Sequence, residues 1–225
     1  MNKLFIFDEG YYFIRANELG EHGRFFIFFD PTSHLQNTKP YLFVFIQTVF
    51  GKCFGWNEWS LRMPIIISSV ALIGIIYFFI KNTYKDYWWA LTSAAVLLVI
   101  PYFVYPHMAF TGDHDVPLIL FTTGFIFYYY SFLVEPEKKE YQRYLLLAIL
   151  FATLSVLTKG WMIVFFLPAS FVFLFLYKKH RLLFTNGYFW MGMGFSIIAI
   201  ASWYLGREYV DPGYLKAVWT YEMGR

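Results

Sequence analysis

The chain has 225 residues, and 59% of them are hydrophobic, 24% aromatic and only 15% charged. An ordinary soluble domain carries roughly 25% charge, so this composition excludes one and points to an integral membrane protein, all-α because lipid leaves no partner for open backbone polar groups. The net charge of +3 is spread over loops and gives no ground for nucleic-acid binding, and the lone cysteine, Cys53, excludes an intramolecular disulfide and any multi-cysteine metal site.

In chain order, the first feature is a deficit. Met1 to Phe7 holds one lysine and a short apolar stretch, too short for a signal-peptide core or a span. Asp8-Glu9 follows. Asp8 is placed to N-cap a short helix from Glu9 to about Leu19, with Gly20 as its stop. A modest apolar run, Tyr41 to Phe50, is broken by Gly51-Lys52 and reads as an interfacial or re-entrant helix. Six longer runs have the roughly 17 to 25 residues that a spanning helix needs: Met63 to Ile80, Tyr87 to Tyr105, Pro117 to Val134, Tyr141 to Thr158, Trp161 to Tyr177 and Tyr188 to Leu205. Tyr and Trp crowd their ends, as in an interfacial aromatic belt, and Trp203-Tyr204 and Arg62 read as such anchors. The organisation expected is an extracytoplasmic segment over 1–62, six transmembrane helices within 63–205 and an extracytoplasmic tail over 206–225.

Loop charge orients this bundle. The loops at Lys81 to Asp86, Glu135 to Arg143 and Lys178 to Gly187 hold Lys81, Lys85, Lys138, Lys139, Arg143, Lys178, Lys179 and Arg181, whereas the alternate loops hold only Lys159. By the positive-inside rule the first set is cytoplasmic. The Asp8-Glu9 segment, the Gly112-Asp113-His114-Asp115 loop and Lys159 then all face outward, as two acidic walls and a cation of one active site in the cell membrane.

Charges at membrane depth are costly and mark ion, proton or substrate sites. Asp8 is the candidate general base, a role compatible with capping; Glu9 is either an acid facing a ligand or an exposed first-turn residue. Asp113 and Asp115 project alike if their loop is extended, which suits a divalent metal ion bound through oxygen. His114 is a weaker candidate ligand, and Asp115 is alternatively a helix N-cap. Lys159, beside the permissive Gly160, can neutralise a phosphate or simply snorkel. Outward acids also fit the cation or proton site of a secondary transporter, although they lie in loops and no inverted repeat is visible.

Several of these pieces stand in a familiar order: Asp8-Glu9-Gly10-Tyr11-Tyr12, Lys39-Pro40-Tyr41, Asn57 to Pro64, Asp115-Val116-Pro117, Leu157-Thr158-Lys159-Gly160 and Ser202-Trp203-Tyr204. The chain thereby resembles the polyprenyl-phosphate-sugar glycosyltransferases of the protein O-mannosyltransferase and lipid A aminoarabinose transferase type, within the GT-C superfamily. The resemblance implies the N-terminal part of a GT-C multi-helix bundle, with a further helix before Asp8 and more helices, commonly with a soluble domain, after the last motif. A truncated, inactive remnant is the third reading. The resemblance implies transfer of a sugar from a polyprenyl-phosphate carrier to a lipid, protein or glycan acceptor outside the cytoplasm, in a bacterial inner membrane. Asp8 and Asp115 would be catalytic and Lys159 and Lys39 would bind the donor phosphate. Tyr12 joins Glu9, Asp113 and His114 as a candidate contact to substrate or metal. Two departures stand out, Thr38 where an acid often precedes the Lys-Pro pair and Tyr11 where a basic residue is usual; both bear on metal use and donor identity.

Overall fold

The computed structural model describes residues 9–23, 38–104, 112–134 and 138–223. Asp8 lies outside them. The described residues form helices and connecting turns, in two compact units that are taken separately.

The first unit runs from α1 (Glu9–His22) to the opening turns of α6, as far as Leu120. Helix α1 does not stop at Gly20; it continues to Gly23, whose φ of +63° terminates it. Gly20 instead makes room for an aromatic ring. A Cβ there would lie 2.4 Å from the Trp56 ring, and one at Gly51 would also lie 2.4 Å from it. The indole thus fills a slot made by two glycines and locks α1 against α2 (Leu42–Phe54). For the same reason Gly51-Lys52 does not interrupt α2, which ends at Gly55 with φ +84°.

Helix α3 (Glu58–Tyr84) starts with a capping box: Asn57 accepts from the Ser60 amide at 3.0 Å, and the Ser60 hydroxyl accepts from the Asn57 amide at 3.3 Å. It ends at Lys85 in the left-handed region, and Asp86 at once caps α4 (Tyr87–Val99) by accepting from the Trp89 amide. The expected span from Tyr87 to Tyr105 is interrupted at Ile100, held extended by the proline that follows. Pro101–Val104 is a separate turn, α5.

The second unit holds residues 38–40 and everything described from Phe121 onward. Helices α6 (Asp115–Val134), α7 (Lys138–Lys159) and α10 (Gly187–Val210) are its long elements. The run Trp161 to Tyr177 is again not one helix. Gly160, at φ +74°, ends α7, a 3-10 segment covers Gly160–Phe166, and Pro168 opens α8 (Leu167–Leu176) within its first two positions. A short α9 (His180–Phe184) precedes α10, and after Gly213 at φ +98° come α11 (Tyr214–Val218) and one π-helical turn, Trp219–Met223.

Among the described residues, four helices are long and apolar enough to cross a membrane: α3, α6, α10 and the Glu140–Lys159 part of α7. Large apolar side chains such as Ile67, Val70 and Phe78 on α3 and Phe195, Ile197 and Ile198 on α10 stay exposed, an aggregation hazard in water but the natural face of a lipid-embedded helix. Inside the second unit, hydroxyls supply the polar contacts that hold membrane helices together. Thr122 bonds Ser155 at 3.2 Å, Thr153 bonds Ser196 at 2.6 Å, and the Tyr129 hydroxyl donates to the Ser170 carbonyl. A cluster of Phe132, Leu133, Tyr141, Leu145, Leu174 and Leu183 packs beside them.

Candidate functional site: an acid clamp and a lysine cluster

In the first unit the acidic motifs meet around Glu9. Glu9 is 2% exposed, so it is not the solvated first-turn acid of one expectation, and both its oxygens accept bonds. Arg62 grips it with two bonds, Nε to Oε1 at 2.6 Å and Nη2 to Oε2 at 2.8 Å. The Gly112 amide donates to the same Oε1 at 2.9 Å. Arg62 also pairs with Glu58, one turn back on α3. It holds Glu9, and through Gly112 the second motif, to the start of α3.

Gln47 completes the arrangement from α2, its Nε2 donating to the carbonyls of Gly112 at 3.1 Å and of Leu61 at 3.3 Å. A Cβ at Gly112 would lie 3.0 Å from the Glu9 Cγ, so the approach that the amide needs is tight for any other residue. Beyond it, His114 is 1% exposed and lies between two rings, Tyr12 edge-on with centroids 4.0 Å apart and Phe43 at 5.0 Å. Tyr12 is thus buried against His114. The Asp113 carboxylate accepts from the His114 amide at 2.6 Å. Asp115 is already the first residue of α6, and the Leu118 amide bonds the His114 carbonyl, so the extended alternation of Asp113 with Asp115 is replaced by a helix start.

These residues do not fit a divalent metal ion by themselves. Glu9 is committed to Arg62 and Gly112, and no three His, Cys, Asp or Glu side chains converge among the described residues.

The second unit gathers the lysine motifs. A Cβ at Gly160 would sit 3.3 Å from the Tyr204 hydroxyl and 3.8 Å from Pro40, so Lys39-Pro40 and Lys159-Gly160 adjoin although they are far apart in sequence. With φ at +74°, only glycine holds that corner without strain. Lys159 ends α7 and is half-buried. Lys39 pairs with Glu222 at 3.5 Å, and the Thr38 hydroxyl donates to the same carboxylate at 2.5 Å. Thr38, where the resembled pattern has an acid, thus meets one from far along the chain. The Tyr214 hydroxyl donates to the Thr38 carbonyl at 3.0 Å, and burial pushes its pKa up to about 12, so it keeps its proton at any physiological pH. Trp203 and Tyr204, expected in the belt, are 6% and 8% exposed, with the Tyr204 ring 6.1 Å from that of Tyr214. Arg207, 1% exposed, lies over the Tyr214 ring and bonds Asp211 at 3.1 Å.

Sequence reasoning overlooked Gln47, Glu222 and Tyr214, missed the pairing of Arg62 with Glu9, and misjudged the burial of Tyr204. For Arg62 a signal existed, because an arginine at the mouth of a long apolar helix needs a partner and Glu9 was at hand. For Glu222 no local signal existed.

Known structures now place the fold. ArnT from Cupriavidus metallidurans bound to undecaprenyl phosphate superposes with a TM-score of 0.77 over 92% of this chain and 38% of its own, at 17% identity. The apo state gives 0.74 over 95% and 39%, also at 17% identity. The architecture is therefore that of the GT-C membrane bundle, in its N-terminal part. The chain belongs to the dolichyl-phosphate-mannose-protein mannosyltransferase family, which matches residues 38–205. A putative mannosyltransferase, YycA of Bacillus subtilis (strain 168), is 32% identical over 63 residues, 28% of this chain and 9% of that protein. The chain spans a minor part of the length of each of these relatives.

Proposed function

We propose that this chain forms part of a membrane glycosyltransferase that takes a sugar from a polyprenyl-phosphate carrier. The supporting observation is the meeting of the two lysine motifs at Pro40 and Gly160, inside the family match. In the reaction, an acceptor hydroxyl or amine attacks the anomeric carbon and the bond from that carbon to the phosphate oxygen breaks. The carrier departs as polyprenyl phosphate, and the acceptor's proton passes to a carboxylate, Asp8 with Asp115 as its companion acid. Lys159 and Lys39 supply positive charge for the leaving phosphate. A lipid, protein or glycan serves as acceptor. A divalent ion, if the complete enzyme takes one, would need Asp8 or other groups beyond the described set. The transporter reading is weakened, because Glu9, the most buried described acid of the cation site it would need, is paired with Arg62.

Binding tests the reading. Lys159→Ala in the full-length protein is expected to weaken binding of a polyprenyl phosphate in nanodiscs by roughly 1.5 to 3 kcal/mol, the worth of a charge-assisted bond. Equal binding by the two proteins would make Lys159 a snorkelling anchor and remove the donor site.

The acidic and lysine motifs lie, on this reading, on the extracytoplasmic side. Cys53 is exposed and is the sole cysteine, so a membrane-impermeant thiol reagent should label it in sealed cells. A cysteine at exposed Lys85, in a Cys53→Ser background, should stay unlabelled until the cells are opened. The reverse pattern would overturn the orientation.

A further inference from the structure

Glu222 reaches the Thr38-Lys39 motif from far along the chain. Its carboxylate takes the Thr38 hydroxyl and the Lys39 ammonium together, one hydroxyl and one cation, the donor set that a phosphate oxygen takes. The segment that carries it is fastened on both sides of Tyr214. Glu208 accepts from the Gly213 amide at 3.0 Å and the Leu215 amide at 2.8 Å, and the Tyr214 hydroxyl is bonded to the Thr38 carbonyl. These bonds aim the π-helical turn at Lys39. The side chains of Lys39 and Glu222 nevertheless keep 28% and 25% of their surface exposed, so the pair is the weak, displaceable kind rather than a buried clamp like Glu9 with Arg62.

We propose that Glu222 is a tethered stand-in for the carrier phosphate, closing the Lys39 end of the anion site when no carrier is bound and yielding when one arrives. The proposal rests on Lys39 being a phosphate contact. A carboxylate tied to the site competes at a high effective concentration without any partner in solution.

The test is a set of titrations of the full-length protein in detergent at low salt with farnesyl phosphate as probe. Glu222→Gln should bind it about two- to five-fold more tightly than wild type, the reciprocal of what an exposed ion pair is worth, and the gain should shrink as salt screens the site. Lys39→Gln should bind more weakly than wild type. Asp211→Asn, which removes an acid of the same segment that is paired with Arg207 instead, should bind as wild type does. If Lys39→Gln weakens binding while Glu222→Gln leaves it unchanged or weakens it, the stand-in is refuted and the phosphate site survives. Equal tightening in Asp211→Asn refutes it too, by reducing the effect to bulk charge. If Lys39→Gln binds like wild type, Lys39 is no phosphate contact and the proposal falls together with that assignment.

Discussion

Replacing Arg62 by alanine is expected to destabilise the full-length protein by roughly 3 kcal/mol. Orphaning a buried charge costs about 3 to 5 kcal/mol; the lower end applies because the Arg62 side chain keeps 22% of its surface exposed while that of Glu9 keeps 1%. The Gly112 amide cannot compensate, since one neutral donor does not replace a bidentate guanidinium. Thermal aggregation in detergent should therefore begin at a clearly lower temperature for Arg62→Ala. A double variant, Glu9→Gln with Arg62→Met, removes both charges and should recover most of the loss. If the single variant melts with wild type, the clamp contributes nothing to stability, and something else must hold the acidic motifs together.

The second large effect is chemical. Asp8→Asn conserves size and the capacity to cap a helix but replaces a carboxylate that can take a proton by an amide that cannot. Turnover by the full-length enzyme is expected to fall by about 10² to 10⁴, the usual share of a general base, with the melting temperature and carrier-lipid binding unchanged. Near-normal turnover would reduce Asp8 to a cap and pass the proton to another group.

The fold was legible where physics is local. Apolar length located α3, α6, α7 and α10, and the order of short motifs indicated the family. Prolines and glycines were the points of failure: Gly20 and Gly51 looked like breaks, yet they are where the Trp56 ring is admitted, whereas Pro101 and Pro168 mark breaks inside runs that read as continuous. Hydropathy counts apolar residues and is blind to a missing Cβ or a missing amide hydrogen. The site divided similarly. Lys39 and Lys159 were found because each stands in a short motif, while Arg62 with Glu9, and Glu222 with Thr38, are pairings across 53 and 184 positions that no window can see. Burial moved Tyr204 out of the expected belt, because a tyrosine near a helix end looks the same in sequence whether it meets a headgroup or a neighbouring helix.

The acid clamp also sets a timetable for making the protein. Glu9 is synthesised 53 residues before Arg62 and 103 before Gly112. At about 5 to 20 residues per second, the carboxylate waits several seconds for its cation and longer for its amide. During that interval its charge has to remain in water or headgroups, because it cannot enter an apolar interior alone. Closure of the first unit is thus completed only on delivery of the Gly112 loop, and a ribosome stalled between α3 and α6 would leave the Glu9 carboxylate held by Arg62 without its amide donor.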